Sequence, residues 1–191
     1  MINQDTLTGP SFSRGNRARR MAWNMVHLIL FRPSPIPLHG WRSFLLRIFG
    51  AKVGKGVHVY PKVTIWAPWN LELADQCGVA NEAILYSQGK IKIGFRTTIS
   101  QRTHLCAGTH DYTKPGFPTI TKPITIGDNV WIAAEAFVHP GMVIGDGCVI
   151  GARSVVTTDM PAWTVCTGHP CQPVKARIME NGNNEFDYQE R

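Results

Sequence analysis

An aliphatic residue returns every six positions through the second half of this chain: Ile126, Ile132, Val138, Ile144, Ile150 and Val156. Small or modest residues recur four places after most of them, as at Ala136, Met142, Cys148 and Ser154, and glycine often follows the leading aliphatic, as in Ile126-Gly127 and Ile144-Gly145. Upstream, Val53, Val59 and Ile65 keep step, then Leu73, Val79 and Leu85, then Ile93, Ile99 and Leu105. Two-residue phase shifts near Leu71 and near Ile91 separate these sets. A helix repeats at about 3.6 residues and an alternating strand at about two, so neither accounts for six. A stacked coil with three flat faces per turn does, each face being one hexapeptide. The leading aliphatic then points inward onto its copy in the next coil, and the slot four places on faces in near a corner, where a small side chain fits. Gly127, Asn129, Gly145 and Gly147 suit tight corners because positive φ costs them little. Valine-rich strands of a sandwich vary in length and would not hold phase over so many repeats.

Outside the repeat, Arg14 to Phe31 reads as an amphipathic helix, broken by Pro33-Ser34-Pro35-Ile36-Pro37. Trp41 to Phe49 reads as a second short helix with Trp41, Leu45 and Ile48 on one face, ended by Gly50. The expected organisation is a helical arm over 1–50, a coil domain over 51–175 and a polar tail over 176–191, with frayed ends. One insertion, 111–123, is rich in proline, glycine, threonine and aromatics and falls between in-phase blocks, so it should protrude as a loop.

Composition adds two constraints. The formal net charge is +7, concentrated in the arm at Arg14, Arg17, Arg19, Arg20, Arg32, Arg42 and Arg47. The repeat lacks the interleaved basic and aromatic pattern of a nucleic-acid platform. The arm would cover the open end of the coil, pack on a neighbouring subunit, or touch a membrane surface peripherally, being too short to span one. The five cysteines, Cys77, Cys106, Cys148, Cys166 and Cys171, are odd in number and lack CxxC spacing. They read as reduced thiols of a cytoplasmic protein, with Cys77 and Cys148 as small inward fillers.

Three stretches carry a family resemblance: Leu-Cys-Ala-Gly-Thr-His-Asp-Tyr at 105–112, Thr-Lys-Pro-Ile-Thr-Ile-Gly-Asp-Asn-Val-Trp-Ile-Ala-Ala at 121–134, and Ile-Gly-Ala-Arg-Ser-Val-Val-Thr at 150–157. Together with the repeat they resemble the hexapeptide-repeat acyltransferases, nearest to the sugar and polysaccharide O-acetyltransferases of colanic-acid and nodulation type. The resemblance covers roughly 51–177. It implies an all-β fold, a left-handed parallel β-helix; its hand comes from the family, not from spacing. It also implies acetyl-coenzyme A as acyl donor, a saccharide hydroxyl as acceptor, and a homotrimer with sites between subunits.

Such chemistry needs a base for the hydroxyl proton and a donor for the thioester oxyanion. His110 in Gly-Thr-His-Asp matches the catalytic histidine; an imidazole in water titrates near ~6.5 and serves as a base at neutral pH. The bland alternative is a surface histidine at a corner. Its orienting partner is open among Asp111, Glu82 and a backbone carbonyl. Asn81 matches an acceptor-binding asparagine, or is a corner asparagine with positive φ. Trp131 matches an aromatic lining the site. Ala134 matches the position whose N–H serves the thioester oxygen, and Ala152 and Thr157 those whose amides hold the pantetheine arm. Thr158 stands where relatives often carry a phosphate-binding lysine, and Gln172 where arginine is common. Lys175 and Arg177 follow closely and could supply that charge, or belong to a solvated tail. His104 and His139 read as surface or contact residues. A carbonic-anhydrase-like zinc site would need His104, His110 and His139 to converge, against their six-residue spacing, and no metal is expected. An amino-sugar N-acetyltransferase and a non-catalytic scaffold are the remaining alternatives.

Overall fold

The computed structural model describes residues 11–179. Of the ends expected to be frayed, 1–13 and 181–191, residues 1–10 and 181–191 lie outside the described residues, whereas Ser11 accepts from Thr119 Oγ1 and Ser13 caps the first helix. The chain is a left-handed parallel β-helix entered through a helical arm. Its first face carries Lys52–Val53, Leu71–Leu73, Ile91–Ile93, Ile124–Ile126 and Val143–Ile144. The second carries His58–Val59, Gly78–Val79, Thr98–Ile99, Trp131–Ile132, Val149–Ile150 and Thr164–Gly168. The third carries Thr64–Ile65, Ile84–Tyr86, His104–Cys106, Phe137–Val138 and Val155–Val156.

Every six-residue marker lands on a like residue one coil on. Val53, Leu73, Ile93, Ile126 and Ile144 are in register on the first face. Val59, Val79, Ile99, Ile132, Ile150 and Cys166 are in register on the second. Ile65, Leu85, Leu105, Val138 and Val156 do the same on the third. Apart from half-buried Val53, all are buried in one continuous core, and each such side chain contributes roughly 1.5–3 kcal/mol. The two phase shifts are corner insertions: a 3₁₀ turn at Pro68–Asn70 and a turn over 87–90. Buried Thr97 and Thr103 occupy inward slots and donate to the carbonyls of Gly127 (2.7 Å) and Ala133 (3.1 Å) of the next coil.

The corner glycines have two different reasons. Asn129 and Gly147 do adopt positive φ, at 56° and 64°, but Gly127 and Gly145 do not. A Cβ on Gly127 would sit 2.8 Å from Asp146 N and closer still to its carboxylate, which accepts from Asp128 N at 2.8 Å. The same lacing joins Asp75 to Lys55 N and Asp128 to Phe95 N beside Gly54 and Gly94. Here glycine makes room for an aspartate of the neighbouring coil.

The arm is helix α1, Arg14–Val26, a π turn at His27–Phe31, and helix α2, His39–Ile48. Gly50 at φ 89° ends it. The face of α2 turned inward holds Arg42, Leu45 and Leu46; Trp41 and Ile48, expected beside Leu45, are exposed instead. The cause is the coil edge they meet. In upper coils a strand carbonyl accepts from the coil below, as Val79 O does from Tyr60 N (3.0 Å). The first coil has no coil below, and arm side chains take that place. Trp23 Nε1 donates to Ile65 O (2.8 Å), Arg42 Nε to Val59 O (2.6 Å), and His27 Nε2 to Val63 O (2.9 Å). Buried Arg42 also bonds Ser34 Oγ, Pro35 O and Ile36 O, so its charge is met by oxygens that pin the proline-rich turn.

At the other end the chain does not simply leave the coil. Cys171–Ala176 runs back antiparallel to Thr164–Gly168 and adds a strand to the second face. All five thiols are free. Burial pushes Cys77 up to about 12 and raises Cys148 as well, the opposite of what a cysteine nucleophile needs.

Candidate active site

His110 stands on a protruding β-hairpin. The insertion begins earlier than expected: Gly108–His110 pairs antiparallel with Thr119–Thr121, so His110 belongs to a strand opposite Thr119. At the base a Cβ on Gly108 would lie 2.3 Å from the Gln88 amide oxygen, so that side chain would have to move. The hairpin springs from the edge between the third and first faces. Its tip, through Phe117 at φ 46°, returns a carbonyl to the histidine: Nδ1 of His110 lies 2.6 Å from Phe117 O. A carbonyl only accepts, so Nδ1 carries a proton, and in the neutral ring the lone pair sits on Nε2 of an exposed side chain. Of the three candidate orienting partners, the backbone carbonyl fills the role. Asp111 is engaged elsewhere, accepting from Thr113 N (3.1 Å) and Thr113 Oγ1 (2.6 Å) and pairing with Lys114 Nζ (3.4 Å). The Thr113 bonds, with Lys114, hold its carboxyl below the ordinary aspartate range.

The edge between the second and third faces carries a different set. Asn81, Ala134 and Ala152 occupy corners there in three different coils. Ala134 O accepts from Arg153 N at 2.9 Å, so the last two corners are stacked. Among the described residues, the N–H groups of Ala134 and Ala152 donate to no protein acceptor. Their methyl side chains leave those donors approachable. Glu135 bridges the corners by accepting from Arg153 Nε (2.6 Å) and from Arg102, and these two cations hold its carboxyl low. Asn81 is partly structural: its Oδ1 accepts from Lys62 N at 3.2 Å, and the residue with positive φ at that corner is Glu82, not Asn81.

Trp131 is half-exposed on the second face and donates Nε1–H to Ser100 Oγ at 3.0 Å. Register places Trp131, Val149, Val165 and Lys175 on one outward stripe. At about 4.8 Å per strand, Lys175 stands roughly 14 Å along the face from Trp131. The return strand that puts Lys175 there had no signal in the hexapeptide pattern. Arg177 is not a free cation: its Nη1 donates to Asn129 O and Gly147 O, both at 2.9 Å. Thr157 and Thr158 are exposed beyond Val155–Val156, on the edge that also bears the hairpin.

Within one chain, therefore, His110, Thr157 and Thr158 lie on one side of the third face, and Asn81, Ala134 and Ala152 on the other. That face between them bears an aromatic ladder, in which His104 packs against Tyr86 and Phe137, with His139 beyond. His104 Nε2 is buried without a hydrogen-bond partner, and burial pushes its pKa down. Among the described residues no three His, Cys, Asp or Glu side chains could hold a metal ion.

Residues 123–158 match the family described as bacterial transferase hexapeptide (six repeats). The chain is 44% identical over 167 residues to a protein of Escherichia coli (strain K12) provisionally named a colanic acid biosynthesis acetyltransferase, covering 87% of this chain and 92% of that one. It is 31% identical over 138 residues to the galactoside O-acetyltransferase of the same organism, covering 70% and 68%. A hexapeptide-repeat acetyltransferase of Vibrio cholerae, solved with acetyl-coenzyme A, superposes with a TM-score of 0.79 at 26% identity, over 86% of this chain and 90% of that one.

Proposed function

This chain belongs to the hexapeptide-repeat acetyltransferases, and we propose that it moves an acetyl group from acetyl-coenzyme A to a saccharide hydroxyl, with His110 as general base. The observation that carries this reading is the 2.6 Å bond from His110 Nδ1–H to Phe117 O. It selects the tautomer whose Nε2 can take a proton, and it does so on a hairpin standing clear of the coil. As the acceptor oxygen attacks the thioester carbon, Nε2 receives its proton. The carbon–sulfur bond then breaks, and the proton passes to the departing thiolate. The N–H of Ala134 meets the negative charge that develops on the carbonyl oxygen. Ala152 and Thr157 offer backbone amides to the pantetheine arm, with Thr158 beside them. Lys175 supplies positive charge for the nucleotide phosphates along the stripe from Trp131. Asn81 and Trp131 contact the acceptor.

The division of these residues between two edges supports a cyclic homotrimer, in which the hairpin edge of one chain meets the alanine-bearing edge of the next. Five free thiols favour a reducing compartment, the cytoplasm.

The test is His110→Ala assayed for acetyl transfer to a panel of saccharides. A loss of about 10²–10⁴-fold in kcat is expected for a general base, with acetyl-coenzyme A binding retained in calorimetry. Undiminished turnover would remove His110 from the mechanism. Absence of acetyl-coenzyme A binding by the unmutated protein would remove the whole reading.

A further inference from the structure

Ten of the twenty lysines and arginines, and none of the thirteen aspartates and glutamates, fall between residues 6 and 71. The net charge of +7 comes wholly from this segment. The same segment carries most of the exposed apolar surface. Of sixteen large hydrophobic side chains exposed among the described residues, ten lie between 21 and 48. Met21, Met25, Leu28 and Ile29 line the outer side of α1 and its π turn, with Leu28 63% and Ile29 62% exposed. Phe44 and Ile48 extend the patch onto α2. Arg17, Arg20 and Asn24 share with Met21, Met25 and Leu28 a shallow depression of about 420 Å³. Exposed Arg14, Arg32 and Arg47 add further positive charge to the arm.

The orientation of this patch follows from the hydrogen bonds beneath it. Trp23, His27 and Arg42 all reach carbonyls of the first coil, the end of the prism. The outer side of the arm faces away from the first coil, while its start is tied to the hairpin edge, Thr119 Oγ1 donating to Ser11 Oγ at 3.2 Å and Arg20 stacking on Trp66. Two copies meeting end to end would press arginine against arginine, which like-charge repulsion opposes. A surface both apolar and uniformly cationic complements hydrocarbon under a layer of negative headgroups.

We propose that this end face docks the enzyme on an anionic lipid bilayer. No helix among the described residues is long and apolar enough to cross a membrane, so α1 and its π turn lie in the interface, Met25, Leu28 and Ile29 dipping among the acyl chains and the arginines at headgroup level. Cyclic assembly with parallel axes would set three such faces on one plane and multiply the attachment. The proposal does not depend on the catalytic reading.

Flotation of the full chain with vesicles tests it. Binding to phosphatidylcholine vesicles holding about 30 mol % phosphatidylglycerol is expected, with little binding to phosphatidylcholine alone and release as salt rises to about 0.5 M. Leu28→Asp with Ile29→Asp should lower partitioning by more than about tenfold. Arg17→Gln with Arg32→Gln, which touches no core residue, should lower it roughly 25-fold at about fivefold per charge. Acetyl transfer to a soluble acceptor and the sedimenting mass should be unchanged in both pairs. The proposal fails if the unmutated protein does not float with anionic vesicles, or if both pairs float as well as it does. A changed mass in either pair would overturn it in favour of a contact between copies.

Discussion

The proposed role of His110 rests on an oxygen that belongs to no side chain. Phe117 contributes a carbonyl, and any residue at that place in the turn would present one. For that reason the Gly-Thr-His-Asp setting points to the histidine as a candidate but carries no sign of its partner. Burial acts on other histidines. His27 is pushed below the ordinary imidazole value chiefly by desolvation, with Arg32 acting the same way and its bond to Val63 O acting against; His104 is lowered by desolvation alone. An unfolded imidazole titrates near ~6.5. As pH falls through that value the unfolded chain takes up protons first, so this stability is complete above the unfolded pKa and declines below it. Depressed carboxyls at Glu72, Asp111 and Glu135 act only at lower pH, near and below the usual carboxylate range. Tm should therefore already drop between pH 7.5 and pH 5.5, and His104→Phe, which keeps a ring in the ladder, should flatten that slope. A Tm independent of pH across this interval would contradict the assignment.

Among the elements, the corner between the first and second faces separates two uses of glycine. Gly127→Ala places a methyl against Asp146 and its bond to Asp128 N. Overpacking and the lost bond together should cost about 2–4 kcal/mol. Asn129→Gly, at φ 56°, should change stability by less than about 1 kcal/mol. Thermal or denaturant melts of the two variants distinguish crowding from backbone conformation, and equal effects would refute the distinction. The face strands were readable because each aliphatic must stack on its own copy, and Val59 through Ile150 on the second face keep that register across the hairpin insertion. The phase shifts near Leu71 and Ile91 were readable for the same reason. The strands Gly108–His110, Thr119–Thr121 and Cys171–Ala176 were not, because antiparallel pairing outside the coil imposes no six-residue period. In the sequence Arg42 is one of seven arm arginines with nothing to set it apart; the bare carbonyls of the first coil explain its burial.

For the whole molecule, the separation of His110 from Ala134 and Ala152 means that the proposed mechanism needs paired chains. His110→Ala and Ala152→Trp should each be nearly inactive alone. Co-assembled in equal amounts, one arrangement in four at each junction joins an intact hairpin edge to an intact alanine edge. Activity should then recover to about a quarter of the unmutated level. A mixture no more active than its components would mean that each chain carries a site of its own.

The side chains that close the first coil have one more effect. A stack of parallel hexapeptide turns has no inherent last member, since each turn offers the next one the same row of amides and carbonyls. Trp23, His27 and Arg42 consume that row at the start, and the reversed strand Cys171–Ala176 occupies part of it at the finish. The prism is thereby kept from templating onto further prisms, and what would otherwise be a fibre-forming repeat has a definite length.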